Sequence, residues 1–397
     1  MNNLLKKFFT LLLLALSTRV LSSEFLIKQL EADGFPRDYA EKLAVLQMRY
    51  PLWRFKPLLI SKMEKRYTWE YVLYMQTDKV PSRSLVASNE RFRFYFHKTD
   101  KKSYDANCRR ASKEAVAYFM DPRNFLNERD IFQFLDLSYN ENITEQTVQA
   151  ALRGTFMERG VLEDNRSYAQ WLIFLGRTFK VNPLFLAARL RQEQGIKGTP
   201  LVSGKCGDVL VECYIQNRRG KAAGAIGWWG YFKKISELKQ YNGLYNFFNI
   251  AASGDGKYNI YLNGMQEAQK GSPELNKLFA NDPRWNLKWK ALYGGTAKLA
   301  KRYVENYQNT AYLQKWNVDC RSRSEKGHSR NFWGQYMQSI SAAFSESKTT
   351  YNALKKIGLL DTNHTFLIPV YDKMPPKKSP DPAGGECKMF RTYDAAL

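Results

Sequence analysis

Helical periodicity is the feature of this sequence that most constrains its fold. Apolar residues recur three and four positions apart, the spacing of one face of an amphipathic helix, in five segments: 144–157, 168–179, 183–193, 289–306 and 333–346. Residues 24–140 alternate shorter helical runs with polar breaks, whereas 196–230 combine glycine, lysine, cysteine and β-branched residues without a helical period. We therefore expect a mainly α fold (α+β), with loops or a small hairpin lobe over 196–230.

The first 22 residues carry the pattern of a secretory signal peptide. Lys6 and Lys7 precede a short apolar run over 8–16, and small residues follow at Ser22 and Ser23. The run is too short to cross a bilayer, and no later stretch has the ~18 consecutive apolar residues that a spanning helix needs. We predict cleavage near Ser22 and a secreted, extracellular protein without stable membrane insertion. An uncleaved membrane anchor is the alternative.

The charge of the chain bears on its partners. Its 397 residues carry a formal net charge of +23, spread along the whole length. Such a charge favours anionic partners such as wall polymers, acidic glycans, lipid head groups or nucleic acid. The sequence has no zinc-finger spacing, no aromatic-basic RNA-binding motif and no compact basic helix, which argues against nucleic acid. We expect an anionic wall or glycan surface; the alternative is a basic surface that only keeps the protein soluble.

Cysteine and histidine usage bears on disulfides and metals. Disulfides persist outside the cytoplasm, so some of the five cysteines should pair. Cys206 and Cys213 bracket a short segment and are the pair that we predict. None of the three histidines lies at metal-ligand spacing from another histidine or cysteine. We expect no bound metal and no cofactor.

Residues 181–195 carry their own helix start and stop signals. Asn182 can cap a helix, and Pro183 suits the first helical position. Gly195 can end the helix, because glycine readily adopts the left-handed conformation that helix ends require. This segment is therefore the most sharply defined helix that the sequence predicts.

Glu193 lies in the last turn of this predicted helix, on the same face as Leu186 and Leu190. Burial beside leucines and the negative end of the helix dipole both favour a neutral carboxylic acid. Such an acid is what glycosidic cleavage requires, because the leaving oxygen must be protonated. The pattern predicts Glu193 as a general acid; the alternative is a structural ion pair with Arg189.

Short motifs that run in order along most of the chain resemble one enzyme family. They are Gly34-Phe-Pro36, Tyr50-Pro51-Leu-Trp53, Asp121-Pro-Arg-Asn-Phe-Leu126, Leu186-Ala-Ala-Arg-Leu-Arg-Gln-Glu193-Gln-Gly195, Tyr245-Asn-Phe-Phe-Asn-Ile250, Tyr307-Gln-Asn-Thr-Ala-Tyr-Leu-Gln-Lys-Trp-Asn-Val318 and Gln335-Tyr-Met337. Each motif is short, but the ordered set is specific. The chain resembles the glucosaminidase family typified by bacterial wall autolysins, endo-β-N-acetylglucosaminidases of the glycoside hydrolase 73 type.

The resemblance implies a lysozyme-like, mainly helical domain with a cleft between a helical lobe and a small β lobe. It also implies cleavage of β-1,4 bonds after N-acetylglucosamine in peptidoglycan or a related glycan, with Glu193 as the acid at the base of the cleft. Gln192, Tyr245, Asn246 and Asn249 match positions expected to bind the substrate. For the last three, a Tyr/Asn-rich turn packed on the core is the alternative.

The sequence departs from the family pattern directly after the 245–250 motif. The family usually has Gly-Ala there, whereas this chain has Ala251-Ala252. A methyl group at Ala251 would tighten the cleft, so we expect the geometry of this loop to be altered.

Two further groups of side chains are candidates for the cleft. Trp228 and Trp229 lie between glycines in the loop-rich stretch and could stack on sugar rings, with a place in the core as the alternative. Many glycosidases use a second carboxylate, for which Asp208 and Glu212 are candidates, although solvated loop charges are commoner. If neither faces Glu193, the acetamido oxygen of the substrate can act as the nucleophile, and we prefer that route.

We divide the chain into a signal peptide (1–22), an N-terminal accessory region (23–140), a glucosaminidase catalytic domain (141–350) and a partly disordered C-terminal tail (351–397). Two other functions stay open at this point. One is a lytic transglycosylase, which uses the same helix-borne acid, and the other is a non-catalytic protein that binds wall or glycan. A serine or cysteine hydrolase is disfavoured because no nucleophile elbow occurs.

Overall fold

The computed structural model describes residues 23–104, 107–219, 228–254, 256–278, 282–324, 326–335 and 338–384. The predicted signal peptide lies outside these residues. Within the described ranges, no helix combines the length and the apolar character needed to cross a membrane. The chain divides into two compact units: a first unit from Met1–Asp136 with Asn306–Leu397, and a second unit from Leu137–Glu305.

Helices dominate both units, which confirms the expected mainly α fold. In chain order they are α1 (23–33), α2 (Arg37–Arg49), α3 (Ile60–Met63), α4 (Trp69–Thr77), α5 (Lys113–Met120), α6 (Glu145–Ala151), α7 (Tyr168–Phe179), α8 (Pro183–Gln194), α9 (Cys206–Arg219), α10 (Trp228–Lys239), α11 (Gly256–Lys270), α12 (Pro273–Leu278), α13 (Lys288–Leu299), α14 (Ala311–Trp316) and α15 (Ala342–Lys356). Helix α15 starts at Ala342 rather than at 333, because Phe332 and Gly334 adopt positive φ angles of 63° and 61°.

Within the described residues, the strands are few and lie in the first unit. They are β1 (Arg54–Leu59), β2 (Leu85–Ala87), β3 (Ser103–Tyr104), β4 (Cys108–Arg110) and β5 (Thr365–Val370). Strands β1 and β5 pair in parallel, and the other three form an antiparallel sheet in the order β2-β4-β3. The prediction of loops or a hairpin over 196–230 is wrong for most of the described part of that range, which forms helix α9. Cys206 and Leu210, four positions apart on α9, are fully buried. They form a buried apolar stripe at helical spacing, which the β-branched residues of this segment obscure in the sequence.

Trp53 anchors the core of the first unit. Its ring is fully buried and stacks on Tyr50, with centroids 4.1 Å apart and planes 10° apart. Phe132 meets the ring edge-on at 5.5 Å, and Phe366 on β5 lies 4.9 Å away. The indole N–H donates to the carbonyl oxygen of Leu360 at 2.8 Å. Residues from both ends of the chain therefore share one aromatic cluster, in which edge-on and stacked pairs are favoured.

The described part of the C-terminal segment is held by a buried ion pair. Asp121 and Arg123 are nearly inaccessible, and Nη2 of Arg123 lies 2.8 Å from Oδ2 of Asp121. The same Oδ2 accepts a hydrogen bond from the backbone N–H of Ser379 at 2.8 Å. Arg123 donates to the carbonyl oxygens of Pro375 (2.8 Å) and Lys377 (3.2 Å). These charge-assisted bonds order the proline-rich segment.

The late motifs of the sequence meet in a buried polar network in the first unit. Lys315 on α14 is 1% exposed, and its Nζ donates to Oε1 of Gln335 at 3.0 Å and to the carbonyl oxygen of Arg83 at 3.3 Å. Gln335 in turn donates to Oε1 of Gln76 at 2.8 Å. Burial, together with the charge of Arg83, lowers the pKa of Lys315 to about 7.

A tight contact between α7 and the start of α8 shapes the second unit. Helix α7 spans the predicted 168–179 and opens with a capping box: Ser167 Oγ accepts from the Gln170 N–H, and Gln170 Oε1 accepts from the Ser167 N–H. A Cβ on Gly176 would lie 2.7 Å from the carbonyl oxygen of Val181 and from Cγ of Pro183. Only glycine at this position lets the two helices approach so closely.

The predicted disulfide between Cys206 and Cys213 is wrong. Both residues lie on α9, seven positions apart, and are free thiols. A helix rises 1.5 Å per residue, so their Cα atoms are about 10 Å apart along the axis, beyond the ~7 Å limit for a disulfide. Burial and the neighbouring Cys213 raise the pKa of Cys206 to about 12, so this thiol stays protonated.

The lowered pKa of Lys315 predicts a pH dependence of stability. Because the folded-state pKa (about 7) lies below the unfolded value of ~10.4, the unfolded chain binds the extra proton between these two values. The free energy of unfolding therefore rises with pH between about 7 and the unfolded value. Below pH 7 the side chain is protonated in both states, and this contribution to stability is absent. We would measure the free energy of unfolding of the whole chain in urea at pH 7 and pH 9. We expect its increase between these pH values to be about 2 kcal/mol larger in wild type than in Lys315→Met. The exposed Lys65→Met should keep the wild-type gain, and an equal gain in all three proteins would contradict the assignment.

Candidate active site

Helix α8 begins and ends where the sequence predicts. The side-chain oxygen of Asn182 accepts hydrogen bonds from the backbone N–H groups of Leu184 (2.9 Å) and Phe185 (3.3 Å). Pro183 occupies the first helical position, and Gly195 ends the helix with a positive φ of 65°. Since both ends are fixed locally, the residues of the last turn have a defined orientation.

Glu193 lies in this last turn with a side chain that is 22% exposed. Leu186 and Leu190, on the same face, are fully buried. Oε1 of Glu193 lies 3.6 Å from Nη1 of Arg189. Oε2 accepts a hydrogen bond of 2.9 Å from Nδ2 of Asn249, which also donates to the Glu193 carbonyl oxygen at 3.0 Å. The two carboxyl oxygens therefore have different partners.

The surroundings of Glu193 are more polar than the sequence predicts. The leucine stripe is present, but a cation and an amide donor also contact the carboxyl group. The ion pair with Arg189 that the spacing allows is formed, and Arg189 itself is 7% exposed, with its guanidinium 5.5 Å from the ring centroid of Phe185. A buried arginine beside a partly exposed carboxyl group is suited to stabilising negative charge at that group.

Gln194 belongs to the site and was missed by the sequence analysis. Its side chain is 2% exposed, and Nε2 donates to the carbonyl oxygens of Phe247 (2.9 Å) and Asn246 (3.2 Å) and to Oδ1 of Asn249 (2.8 Å). Its Oε1 accepts a hydrogen bond from the hydroxyl group of Thr199. A signal for Gln194 was present: it continues the buried stripe of α8, where a polar side chain needs internal partners.

Asn246 is a loop-holding residue rather than an exposed sugar contact. It is fully buried, and its Nδ2 donates to the carbonyl oxygens of Ile250 and Gly264, each at 2.9 Å. Its Oδ1 accepts from the backbone N–H of Ile250 at 3.0 Å. The amide is thus used inside the protein, as in the Tyr/Asn-rich packed turn that the sequence left open.

Tyr245 is only partly buried, and its backbone N–H donates to the carbonyl oxygen of Trp285 at 2.9 Å. Its ring stacks at 6.4 Å on that of Phe247. Burial, with the negative charge of Glu163, raises the pKa of the Tyr245 phenol. The phenol therefore stays neutral at physiological pH and can donate a hydrogen bond. Glu163, which accepts from the backbone N–H of Lys288 at 3.1 Å, is a further carboxylate that the sequence analysis missed.

The other predicted site residues lie on helices. Asp208 and Glu212 are exposed on α9, not on a loop, and Oδ1 of Asp208 accepts from Nδ2 of Asn242 at 3.0 Å. Trp228 and Trp229 start α10 instead of lying in a loop; their side chains are outside the described residues. Gln192 is exposed in the last turn of α8 beside Glu193 and stays a predicted substrate contact.

Comparisons with known proteins return structures of the class that the motifs resemble. No protein-family model and no curated protein matches the sequence. Among solved structures, the chain is similar to S. aureus glucosaminidase B (19% identity, covering 81% of this chain and 94% of that one, TM-score 0.48). It is also similar to a major bifunctional autolysin (18%, 81% and 97%, TM-score 0.46). A third is a catalytic mutant of S. aureus autolysin E in complex with the disaccharide NAG-NAM (17%, 73% and 98%, TM-score 0.37).

Ala251, where the sequence departs from the family pattern, lies in a left-handed part of the loop. Asn249 and Ala251 both adopt positive φ angles, 48° and 58°. Asparagine tolerates this left-handed conformation, whereas an alanine there costs roughly 1 kcal/mol relative to its preferred conformations. The backbone thus keeps a conformation suited to glycine, although the chain has alanine.

We expect Ala251→Gly to raise the free energy of unfolding by up to about 1 kcal/mol, because relief of the left-handed strain outweighs the extra freedom of glycine in the unfolded chain. Ala252→Gly is the matched control. Position 252 has a negative φ, so this variant should lose about 0.5–1 kcal/mol. Urea unfolding monitored by tryptophan fluorescence checks both values. Equal destabilisation by the two variants would show that the loop does not need glycine geometry at 251.

Proposed function

We propose that this protein is a secreted glycosidase that cuts N-acetylglucosamine-containing glycan, peptidoglycan or a related polymer, with Glu193 as general acid. The observation that carries the proposal is the contact between Glu193 and Asn249, which are 56 positions apart in the sequence. Each belongs to a different motif of the glucosaminidase resemblance. Their 2.9 Å hydrogen bond supports a common role for the two motifs.

The acid step follows from the partners of Glu193. The carboxylic acid transfers its proton to the glycosidic oxygen, the bond between that oxygen and the anomeric carbon breaks, and Glu193 is left as a carboxylate. Arg189, 3.6 Å from Oε1, and the Asn249 amide both stabilise the negative charge that develops. These two side chains therefore support departure of the leaving group.

For attack on the anomeric carbon we propose the substrate's own acetamido oxygen. This oxygen forms a bond to the anomeric carbon as the glycosidic bond breaks, and water then opens the cyclic intermediate. Asp208, the first carboxylate candidate, is exposed on α9 and accepts a hydrogen bond from Asn242, and Glu212 is exposed on the same helix. The neutral Tyr245 phenol is a donor suited to orienting an acetamido group.

The net charge of the chain supports an anionic polymer as substrate. A charge of +23 attracts the carboxylate and phosphate groups of wall polymers, and this attraction weakens as salt screens it. The predicted signal peptide supports action outside the cell. Together these features favour a wall polymer over a neutral chitin-like chain.

The products of digestion test the proposal. We would incubate purified wild type, Glu193→Gln and the exposed control Glu141→Gln with peptidoglycan, reduce the fragments and measure their masses. Wild type and Glu141→Gln should release fragments with reducing N-acetylglucosamine ends. Loss of the general acid should slow Glu193→Gln by roughly 10²- to 10⁴-fold. Circular dichroism and urea unfolding would verify that all three proteins are folded.

The same measurement separates the other two functions. Fragments with anhydro-muramyl ends would identify a lytic transglycosylase and overturn the hydrolysis step. If wild type and Glu193→Gln bind the polymer equally and neither releases fragments from peptidoglycan, chitin or N-glycans, the protein is a binding protein and the proposal fails.

A further inference from the structure

The Gln194 amide has only one orientation that suits its surroundings. Its Nε2 faces three oxygens, from Asn246, Phe247 and Asn249, while its Oε1 faces the Thr199 hydroxyl group. Turning the amide over would place Oε1 against those three oxygens, none of which can donate a hydrogen bond. The buried position of Gln194 removes water as a substitute partner, so the observed orientation is enforced.

This orientation fixes that of Asn249. Because Nε2 of Gln194 donates to Oδ1 of Asn249 at 2.8 Å, the Nδ2 of Asn249 must point towards Glu193. There it donates to Oε2 and to the main-chain oxygen of the same residue. If Asn249 turned over, its NH₂ group would meet the NH₂ group of Gln194, and its oxygen would meet two oxygens of Glu193.

We propose that Gln194 is a positioning residue that keeps the transferable proton of Glu193 on Oε1. This inference rests on the proposed function. In the neutral acid, Oε2 accepts from Asn249 and is therefore the carbonyl oxygen, so the hydrogen is on Oε1. During cleavage the O–H bond at Oε1 breaks as a new O–H bond forms at the glycosidic oxygen. Arg189, on the Oε1 side, then stabilises the carboxylate that is left.

Without Gln194, the acid would have a competing acceptor. Asn249 could turn over and present Oδ1 to Glu193, where it would accept a hydrogen bond from the carboxylic acid and hold the proton that the glycosidic oxygen needs. Two of the three hydrogen bonds that Gln194 Nε2 donates go to backbone carbonyl oxygens and hold the loop, as those of any structural residue would. The third, to the Asn249 side chain, distinguishes a positioning role from a structural one.

Kinetics of Gln194→Met test the proposal, with the exposed helical Gln216→Met as the matched control. We expect kcat of Gln194→Met to fall roughly 10- to 100-fold from misplacement of the acid's partner, with KM changed by less than about 3-fold. In an Asn249→Ala background, Gln194→Met should lower kcat by less than about 3-fold more.

A spectroscopic readout keeps the inference separate from the proposed activity. The NMR signals of the Asn249 side-chain NH₂ group can be assigned by their loss in Asn249→Asp. They should shift when Glu193→Gln is introduced into wild type, and they should not shift when it is introduced into Gln194→Met. If this holds but no glycan is cut, the proposed function fails and the positioning role stands. If the Asn249 signals respond alike in both backgrounds, or Gln194→Met lowers stability without lowering kcat, Gln194 is only structural.

Discussion

One buried side chain, that of Gln194, ties the end of helix α8 to the 245–250 loop, and the candidate site depends on this link. The start of α8 is fixed by its own cap, but the distance between Glu193 and Asn249 is set across the fold. Gln194 sets it through buried hydrogen bonds to the loop backbone and to Asn249 itself. Because a buried carbonyl group left without a donor costs about 1–3 kcal/mol, the loop is held at this position strongly. The acid and its amide partner therefore meet in one defined geometry.

What the sequence could predict was local. Helix α8 begins and ends as expected because its signals, a capping Asn182 and a terminating Gly195, lie within a few positions of the residues they act on. Helix α7 followed from its apolar periodicity. The mainly helical class followed from the same periodicity. Glu193 was singled out by its place in the last turn of α8, and its motif partners came from the family resemblance.

What the sequence could not predict depends on contacts between distant segments. The α9 stripe marked by Cys206 and Leu210 is visible only once burial is known, so its β-branched residues suggested a hairpin and the cysteines a disulfide. Gln194 was missed because its partners are 5 and more than 50 positions away. The ordering of the proline-rich C-terminal segment could not be predicted, because nothing near it in the sequence indicates that Asp121 and Arg123 bind it.

The pairing of β1 with β5 has a consequence for the order in which the chain can fold. The second unit is an insertion within the first: the chain leaves the first unit after Asp136 and returns at Asn306, and near this junction Asn309 donates to Asp136 at 2.8 Å. During synthesis, every residue of the insertion emerges before β5 does. The inserted unit can therefore reach its final form first, while β1 and the Trp53 cluster stay without their partner strand until the ribosome has nearly finished the chain. The first unit therefore stays incomplete throughout elongation, until β5 emerges and pairs with β1.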